Sequence, residues 1–214
     1  MKILTICPAH LKAYKIGGPI ATVESMNKGL INTDKKIKID VLSTSYGLDD
    51  ASEIIYDEWE SVDNMENYNV KYFNFYGYGS LTFSPRLFLE AKKIIKNYDI
   101  LILQGVWNFP FFSAAYLARK NNIPYVVIPH GTLYKETWIL KSKYYKYILY
   151  YFTVKNMLLY ADKIQFTTVD ERDNVLNFLG LNLENYIIPN SIDTSSFSPL
   201  PEAGSFKNKY PILK

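Results

Sequence analysis

Several residues and patterns are scarce in this chain, and each scarcity removes a class of explanation. The 214 residues include one cysteine, Cys7. An internal disulfide is therefore excluded, and a reducing compartment is the expected setting. The two histidines, His10 and His130, lie far apart in sequence, and neither has an i,i+4 partner. With no cysteine cluster either, a metal site is not expected. No uncharged apolar run is long enough to span a bilayer. The first apolar stretch, Ile3 to Cys7, is too short for a signal peptide and reads as a strand. The net charge of +3, without a dense Lys/Arg tract, gives no case for a nucleic-acid partner. A Gly-x-Ser-x-Gly elbow, which would support a hydrolase triad, is missing too.

What is present is an alternation of strand-like and helix-like segments. Strands are expected at Ile3–Cys7, Ile37–Leu42, Val70–Phe75, Ile100–Leu103, Tyr125–Ile128, Lys163–Phe166 and Tyr186–Ile188. Helices are expected at about 20–31, 85–96, 111–120, 138–160 and 170–178, the last closed by Gly180. The stretch 46–69 contains no Lys or Arg and reads as a mobile, acid-rich surface connection. This βαβα pattern predicts an α/β fold: a doubly wound, mainly parallel Rossmann-like sheet of about seven strands with helices on both faces. Residues 1–195 read as one domain and 196–214, rich in Ser and Pro at their start, as a linker.

Candidate site residues follow from the expected strand ends, where open α/β sheets bind ligands. His130 and Gly131 end the strand from Tyr125, followed by Thr132. The imidazole reads either as a satisfied structural group or as part of a pocket; its strand-end position favours the pocket. Trp107 and Asn108 follow the strand at Ile100 and should emerge on the same edge, where the Trp107 ring either packs against a sugar or caps the core. Gly17-Gly18-Pro19 lies between the first strand and a helix start and reads either as a plain turn or as a ligand loop, since free N–H groups at a helix start suit phosphate. It is not the dinucleotide fingerprint, because Ala21 and Thr22 stand where further glycines are needed, and no Gly-Lys-Ser/Thr follows. The second strand also ends without an acid for a ribose, which disfavours a flavodoxin-like nucleotide regulator. Glu171 reads as a site residue or as a first-turn acid favoured by the helix dipole. His10 reads as a loop residue. Between Trp138 and Tyr160 the only charges are Lys141, Lys143, Lys146 and Lys155, set among tyrosines. That segment reads either as a core-facing helix with a wet lysine edge or as one resting on an anionic membrane surface.

Taken in order, the motifs resemble the N-terminal domain of GT-B fold, family 4 glycosyltransferases. The pieces are Gly17-Gly18-Pro19-Ile20-Ala21-Thr22, Gly105-Val106-Trp107-Asn108-Phe109-Pro110 and Ile123 through Leu133 with Pro129-His130-Gly131-Thr132. Leu159-Tyr160-Ala161-Asp162, Thr167-Thr168 with Glu171, and Ile188-Pro189-Asn190-Ser191-Ile192-Asp193 with Phe197 complete the set. The resemblance implies a retaining transferase that moves a sugar from a nucleotide-diphosphate-sugar donor to a glycan or lipid-linked acceptor, with no cofactor or metal. It implies that the glycine loop lies near the donor diphosphate and that His130 contacts the transferred sugar. It assigns substrate contacts to Gly17, Gly18, Pro19, Trp107, Asn108, Gly131, Thr132, Glu171 and Asn190. Such enzymes have a second, donor-binding domain, which has no counterpart in these residues; a C-terminal domain or partner subunit is thus expected, and little activity without it. Ser191 also stands where the family usually has glycine. A cytoplasmic protein, peripheral on the inner face of the membrane, is the expected setting. A non-catalytic membrane-recruiting or acceptor-binding subunit is the alternative.

Overall fold

The computed structural model describes residues 1–13, 17–48, 50, 52, 54–77, 81–140, 143–192, 194, 199, 202–205 and 209–210. The strands are β1 (Lys2–Ile6), β2 (Lys38–Thr44), β3 (Trp59–Ser61), β4 (Tyr68–Phe73), β5 (Ile100–Leu103), β6 (Tyr125–Val127), β7 (Lys163–Phe166) and β8 (Asn185–Ile187). They form one sheet in the order β3-β4-β2-β1-β5-β6-β7-β8, parallel except for the β3–β4 pair. Short apolar runs without alternation suit strands buried on both faces. Thr5 of β1 is in register with Val41 on one side and Ile102 on the other. The order of the chain reverses at β1, so a crevice opens at the carboxyl ends of β1 and β5.

The helices are α1 (Gly18–Thr33), α2 (Pro85–Ile94), α3 (Phe109–Lys120), α4 (Lys135–Leu140), α5 (Lys143–Leu149), α6 (Lys155–Leu159) and α7 (Val169–Leu179). Right-handed crossovers send helices to opposite faces as the chain winds outward from β1 and then from β5. Leu4, Leu101, Leu103, Val127, Ile164 and Phe166 pack with apolar residues of α2, α3, α4, α6 and α7. Ile3, Ile39, Val41, Ile102, Val126 and Ile128 turn to the other face, where Met26, Leu30 and Ile31 of α1 meet them. Among the described residues α1 is the one α-helix packed on that face, with Val62 of a 3-10 turn, Val62–Asn64, beside it. Over β5 to β8 α1 leaves the sheet open.

Local chemistry accounts for several element ends. Ser84 Oγ accepts from the Leu87 N–H at the start of α2, directly before Pro85. Thr168 Oγ1 accepts from the Glu171 N–H at 3.0 Å and starts α7. Gly180 ends α7 in the left-handed region, as the sequence suggests.

The structure departs from the sequence reading in particular places. The segment 46–69 is more than a polar connection: it carries the eighth strand, β3, on the sheet edge, and its Ile54 and Val62 are buried. The region 138–160 is not one continuous helix, because a π-helical turn, Tyr150–Val154, separates α5 from α6. Most of the expected linker, 196–214, lies outside the described residues.

His10 is not a surface loop residue. It is fully buried, and its Nε2 is hydrogen-bonded to Tyr68 Oη across 2.9 Å, while that hydroxyl accepts from Asn27 Nδ2 at 3.1 Å. This chain of bonds joins the loop after β1 to α1 and β4. Burial, aided by repulsion from Lys28, lowers the His10 pKa from 6.5 to about 3. The unfolded chain binds a proton there below about pH 6.5 and the folded chain does not, so stability is full above that pH and falls as acid is added. Between pH 7 and pH 5 the wild type should therefore lose about 2 kcal/mol more stability than His10→Gln, read by urea unfolding. Equal losses in the two proteins would remove His10 as the titrating group.

Candidate functional site

The site is built where β5, β6 and β7 deliver their carboxyl ends side by side. Leu103 is in register with Val127, and Val127 with Ile164. The next residues, Gln104, Ile128 and Gln165, therefore stand in one row. By alternation they face the α1 side, like Ile100, Ile102 and Val126 before them. The chain after β5 turns at Gly105, with φ +146°; a Cβ there would sit 2.6 Å from the Phe111 ring, so only glycine fits. The chain after β6 turns at His130 and Gly131, with φ of +51° and +71°. A positive φ at a non-glycine residue is strained and must be held by its surroundings.

The holding group is Glu171. It is 1% exposed, and both oxygens are occupied. Oε1 accepts from the Gly131 N–H at 2.7 Å. Oε2 accepts from the Thr167 N–H at 2.8 Å and from Thr167 Oγ1 at 2.7 Å. The start of α7 is thereby tied to the turn after β6. Thr132 braces the same turn through bonds from its N–H and Oγ1 to the Pro129 carbonyl, at 3.2 and 2.7 Å.

His130 projects into a groove of about 380 Å³ lying over the open part of the sheet face. Its Nε2 is 2.8 Å from Gln104 Oε1. Burial lowers its pKa below the ordinary imidazole value, opposed by the nearby Glu171 charge. The groove has two ends of different character. Gln104, His130, Gln165, Asn190 and Ser191 make the carboxyl-end part polar, whereas Ile3, Ile100, Ile102, Val126 and Tyr186 make the remainder apolar. Thr22 and Ser25 of α1 line the opposite wall.

The structure brings His130 and Asn190 together in this groove, and it places the other expected residues around it. Trp107 lies behind the turn: its Nε1 donates to the Thr132 carbonyl at 2.9 Å, and its ring meets Trp138 edge-on at 5.0 Å. Asn108 Oδ1 accepts from the Thr82 N–H at 3.0 Å, pinning the segment before α2. Gly17, with φ +91°, leads into α1; Gly18 and Pro19 begin the helix, and all three are exposed. A Cβ on either glycine would meet nothing within 4 Å, so the helix start faces open space. Gln104 and Gln165 are site residues that the sequence reading missed. The signal was the strand alternation itself, since Ile100 and Ile102 lead to Gln104 on one face. No group of His, Cys, Asp and Glu able to hold a metal occurs among the described residues.

Removing the Glu171 carboxyl leaves buried donors without partners, so Glu171→Ala should cost about 2–4 kcal/mol in urea unfolding, and Glu171→Gln less. A loss below about 0.5 kcal/mol for the alanine variant would contradict this bracing role.

A family model described as Glycosyltransferase Family 4 matches residues 16–196. Solved structures with the same fold include Anabaena Alr3699/HepE in complex with UDP-glucose, at 15% identity and a TM-score of 0.64, covering 100% of this chain and 50% of that one. Sucrose-phosphate synthase from Thermosynechococcus elongatus matches at 14% identity and a TM-score of 0.57, over 97% of this chain and 52% of that one. UDP-GlcNAc 2-epimerase from Neisseria meningitidis, bound to UDP-GlcNAc, matches at 14% identity and a TM-score of 0.51, over 100% and 55%. This chain thus spans about half the length of these structures, and at such identities the likeness is one of fold. No curated protein sequence matches it. With a family match over most of its length and a half-length GT-B fold, the chain belongs to glycosyltransferase family 4.

Proposed function

We propose that this chain forms the acceptor-side half of a retaining glycosyltransferase. The transferase moves a sugar from a nucleotide-diphosphate sugar to a hydroxyl of a glycan or lipid-linked acceptor. The observation that carries the reading is His130, aimed into a groove at the carboxyl ends of β5 to β7 by a braced, strained turn. Strain held in place by a buried carboxylate suits a group whose position matters more than local stability. A second, donor-binding half completes the cleft, supplied by a further domain or a partner subunit, and this half has little activity without it. UDP-glucose bound to the Anabaena HepE structure supports a nucleotide-sugar donor.

In this reading the neutral His130 ring orients the sugar by hydrogen bonding and is not an obligatory general base. The exposed start of α1 turns the Gly18 N–H and the positive end of the helix dipole toward the leaving diphosphate, while Pro19 has no N–H and the Ile20 N–H donates to the Gly17 carbonyl at 3.2 Å. Such fixed donors stabilise developing charge without reorganisation. The leaving phosphate takes the acceptor proton on the same face of the sugar, so configuration is retained. With a donor-binding half supplied and UDP-glucose as donor, His130→Ala should slow transfer by at least about tenfold. A rate within about twofold of wild type would remove His130 from the site.

The same protein works at an anionic membrane surface. Tyr144, Tyr147, Ile148, Tyr151 and Phe152 recur at i, i+3, i+4, i+7 and i+8, and all are exposed, Tyr144 by 84% and Phe152 by 79%. The opposite stripe, with Tyr150, Val154, Met157 and Leu158, is buried in the core. An outward apolar stripe without an acidic residue between Trp138 and Tyr160 fits a lipid interface. Lys146 is not part of that contact: its Nζ donates inward to the Thr137 carbonyl at 2.7 Å and lies over the Trp107 ring. No helix is long and apolar enough to cross a membrane among the described residues. In flotation assays the chain should bind phosphatidylglycerol vesicles and not phosphatidylcholine vesicles, and Ile148→Ser with Phe152→Ser should reduce binding several-fold. Unchanged flotation of the double variant would place the contact elsewhere, and absence of flotation would end this reading.

A further inference from the structure

A second groove, also of about 380 Å³, lies on the opposite face of the sheet from His130. It follows the outer side of α3, between α2 and the π-helical turn with the start of α6. Phe88, Phe109 and Phe112 form an aromatic wall: the Phe109 ring lies 6.1 Å from Phe88 and 5.9 Å from Phe112, and all three are half-buried. Phe109, Phe112, Tyr116 and Arg119 recur at helical spacing, which carries the lining along α3 for about 15 Å. The polar groups on the way are occupied. Ser113 Oγ donates to the Pro110 carbonyl at 3.1 Å, and Thr153 Oγ1 to the Leu149 carbonyl at 2.6 Å. Asn156 is on the exposed rim, and no acid is in the lining.

Arg119 supplies the charge at the far end from the phenylalanines. Its guanidinium stacks on Tyr160, with Cζ 3.3 Å from the ring centroid. Among the described residues it has no ion pair. Asp162, on the neighbouring surface, turns Oδ2 to the Tyr125 N–H at 2.9 Å. A stacked guanidinium keeps its edge donors for a planar or phosphate oxygen partner. An apolar groove with a cation at one end is complementary to an amphiphile with an anionic head. A peptide segment would bring backbone N–H and C=O groups that this lining cannot satisfy, whereas an alkyl chain brings none. Phe152 supplies the source: it lines the groove, is 79% exposed, and belongs to the outward stripe facing the membrane. It sits in the π-helical turn, a feature that recurs at functional sites.

We propose that this groove takes one acyl chain of an anionic phospholipid, with the lipid phosphate on Arg119. The bilayer as source of that lipid rests on the membrane reading above; the groove itself does not.

Met157 is the reporter. It lines this groove, whereas Met1 and Met26 line the one on the other face. Its methyl signal, one of four from methionine, is assigned by its loss in Met157→Leu. Dihexanoyl-phosphatidylglycerol, below its micelle concentration, should shift the Met157 methyl saturably and leave Met26 in place. Glycerol 3-phosphate, which has the head without the chains, should shift neither; a Met157 shift with it overturns the role of the chain. Arg119→Gln should weaken the lipid about tenfold. Asn156→Trp, which places an indole in the groove, should abolish the shift. Both positions are exposed, and a backbone spectrum checks that each variant is folded. A Met157 signal that does not move, or that moves equally in Asn156→Trp, overturns the groove. Equal affinity in Arg119→Gln overturns the phosphate contact. Flotation separates the two readings: flotation without a Met157 shift overturns the groove and leaves the membrane contact, and a Met157 shift without flotation does the reverse.

Discussion

The carboxylate of Glu171 holds the site in its shape. Its bond to the Gly131 N–H ties down the turn after β6 that holds His130 in the left-handed region, where an imidazole-bearing residue is strained. Its two oxygens collect the Gly131 N–H from one element and the Thr167 N–H and hydroxyl from another. The bond is local in chemistry and long-range in effect, because it couples two adjacent strand ends. Trp107 and Thr132 add a second layer of support behind the turn, so that the histidine is the half-buried tip of a packed assembly.

The wider frame is set by topology. Reversal of strand order at β1 opens the crevice at the carboxyl ends, and right-handed crossovers place most helices on one face. On the other face α1 stands over β1 and its neighbours. The uncovered part of that face becomes a groove whose polar end carries Gln104, His130 and Gln165 and whose remainder is aliphatic. The buried His10–Tyr68–Asn27 chain fixes α1 against the sheet, and therefore the position of the helix start relative to the groove.

Much of this is legible in the sequence, because β5 is an uninterrupted apolar run between Asp99 and Gln104 and β7, Lys-Ile-Gln-Phe, alternates polar and apolar residues with the period of a strand. The expected spans Ile100–Leu103 and Lys163–Phe166 coincide with those observed. β3 was not legible, because Trp59-Glu60-Ser61 has no apolar pattern and pairs only by lying beside β4 on the sheet edge. His10 reads locally as a loop residue because burial of a polar ring depends on residues 17 and 58 positions away, Asn27 and Tyr68, which no local pattern announces. Glu171 reads in the sequence as a first-turn acid or a site residue, and the structure makes it the brace of the turn carrying His130. Gln104 was visible as the next residue of an alternating strand, but its role depends on a contact with a side chain 26 positions later.

The most direct test of this account is a crystal structure of the chain joined to a donor-binding half, with UDP-glucose bound. A glucose hydroxyl within hydrogen-bond reach of His130, about 3 Å, is the predicted result. A glucose bound in the cleft but away from the carboxyl ends of β5 and β6, with His130 facing only water, would contradict it.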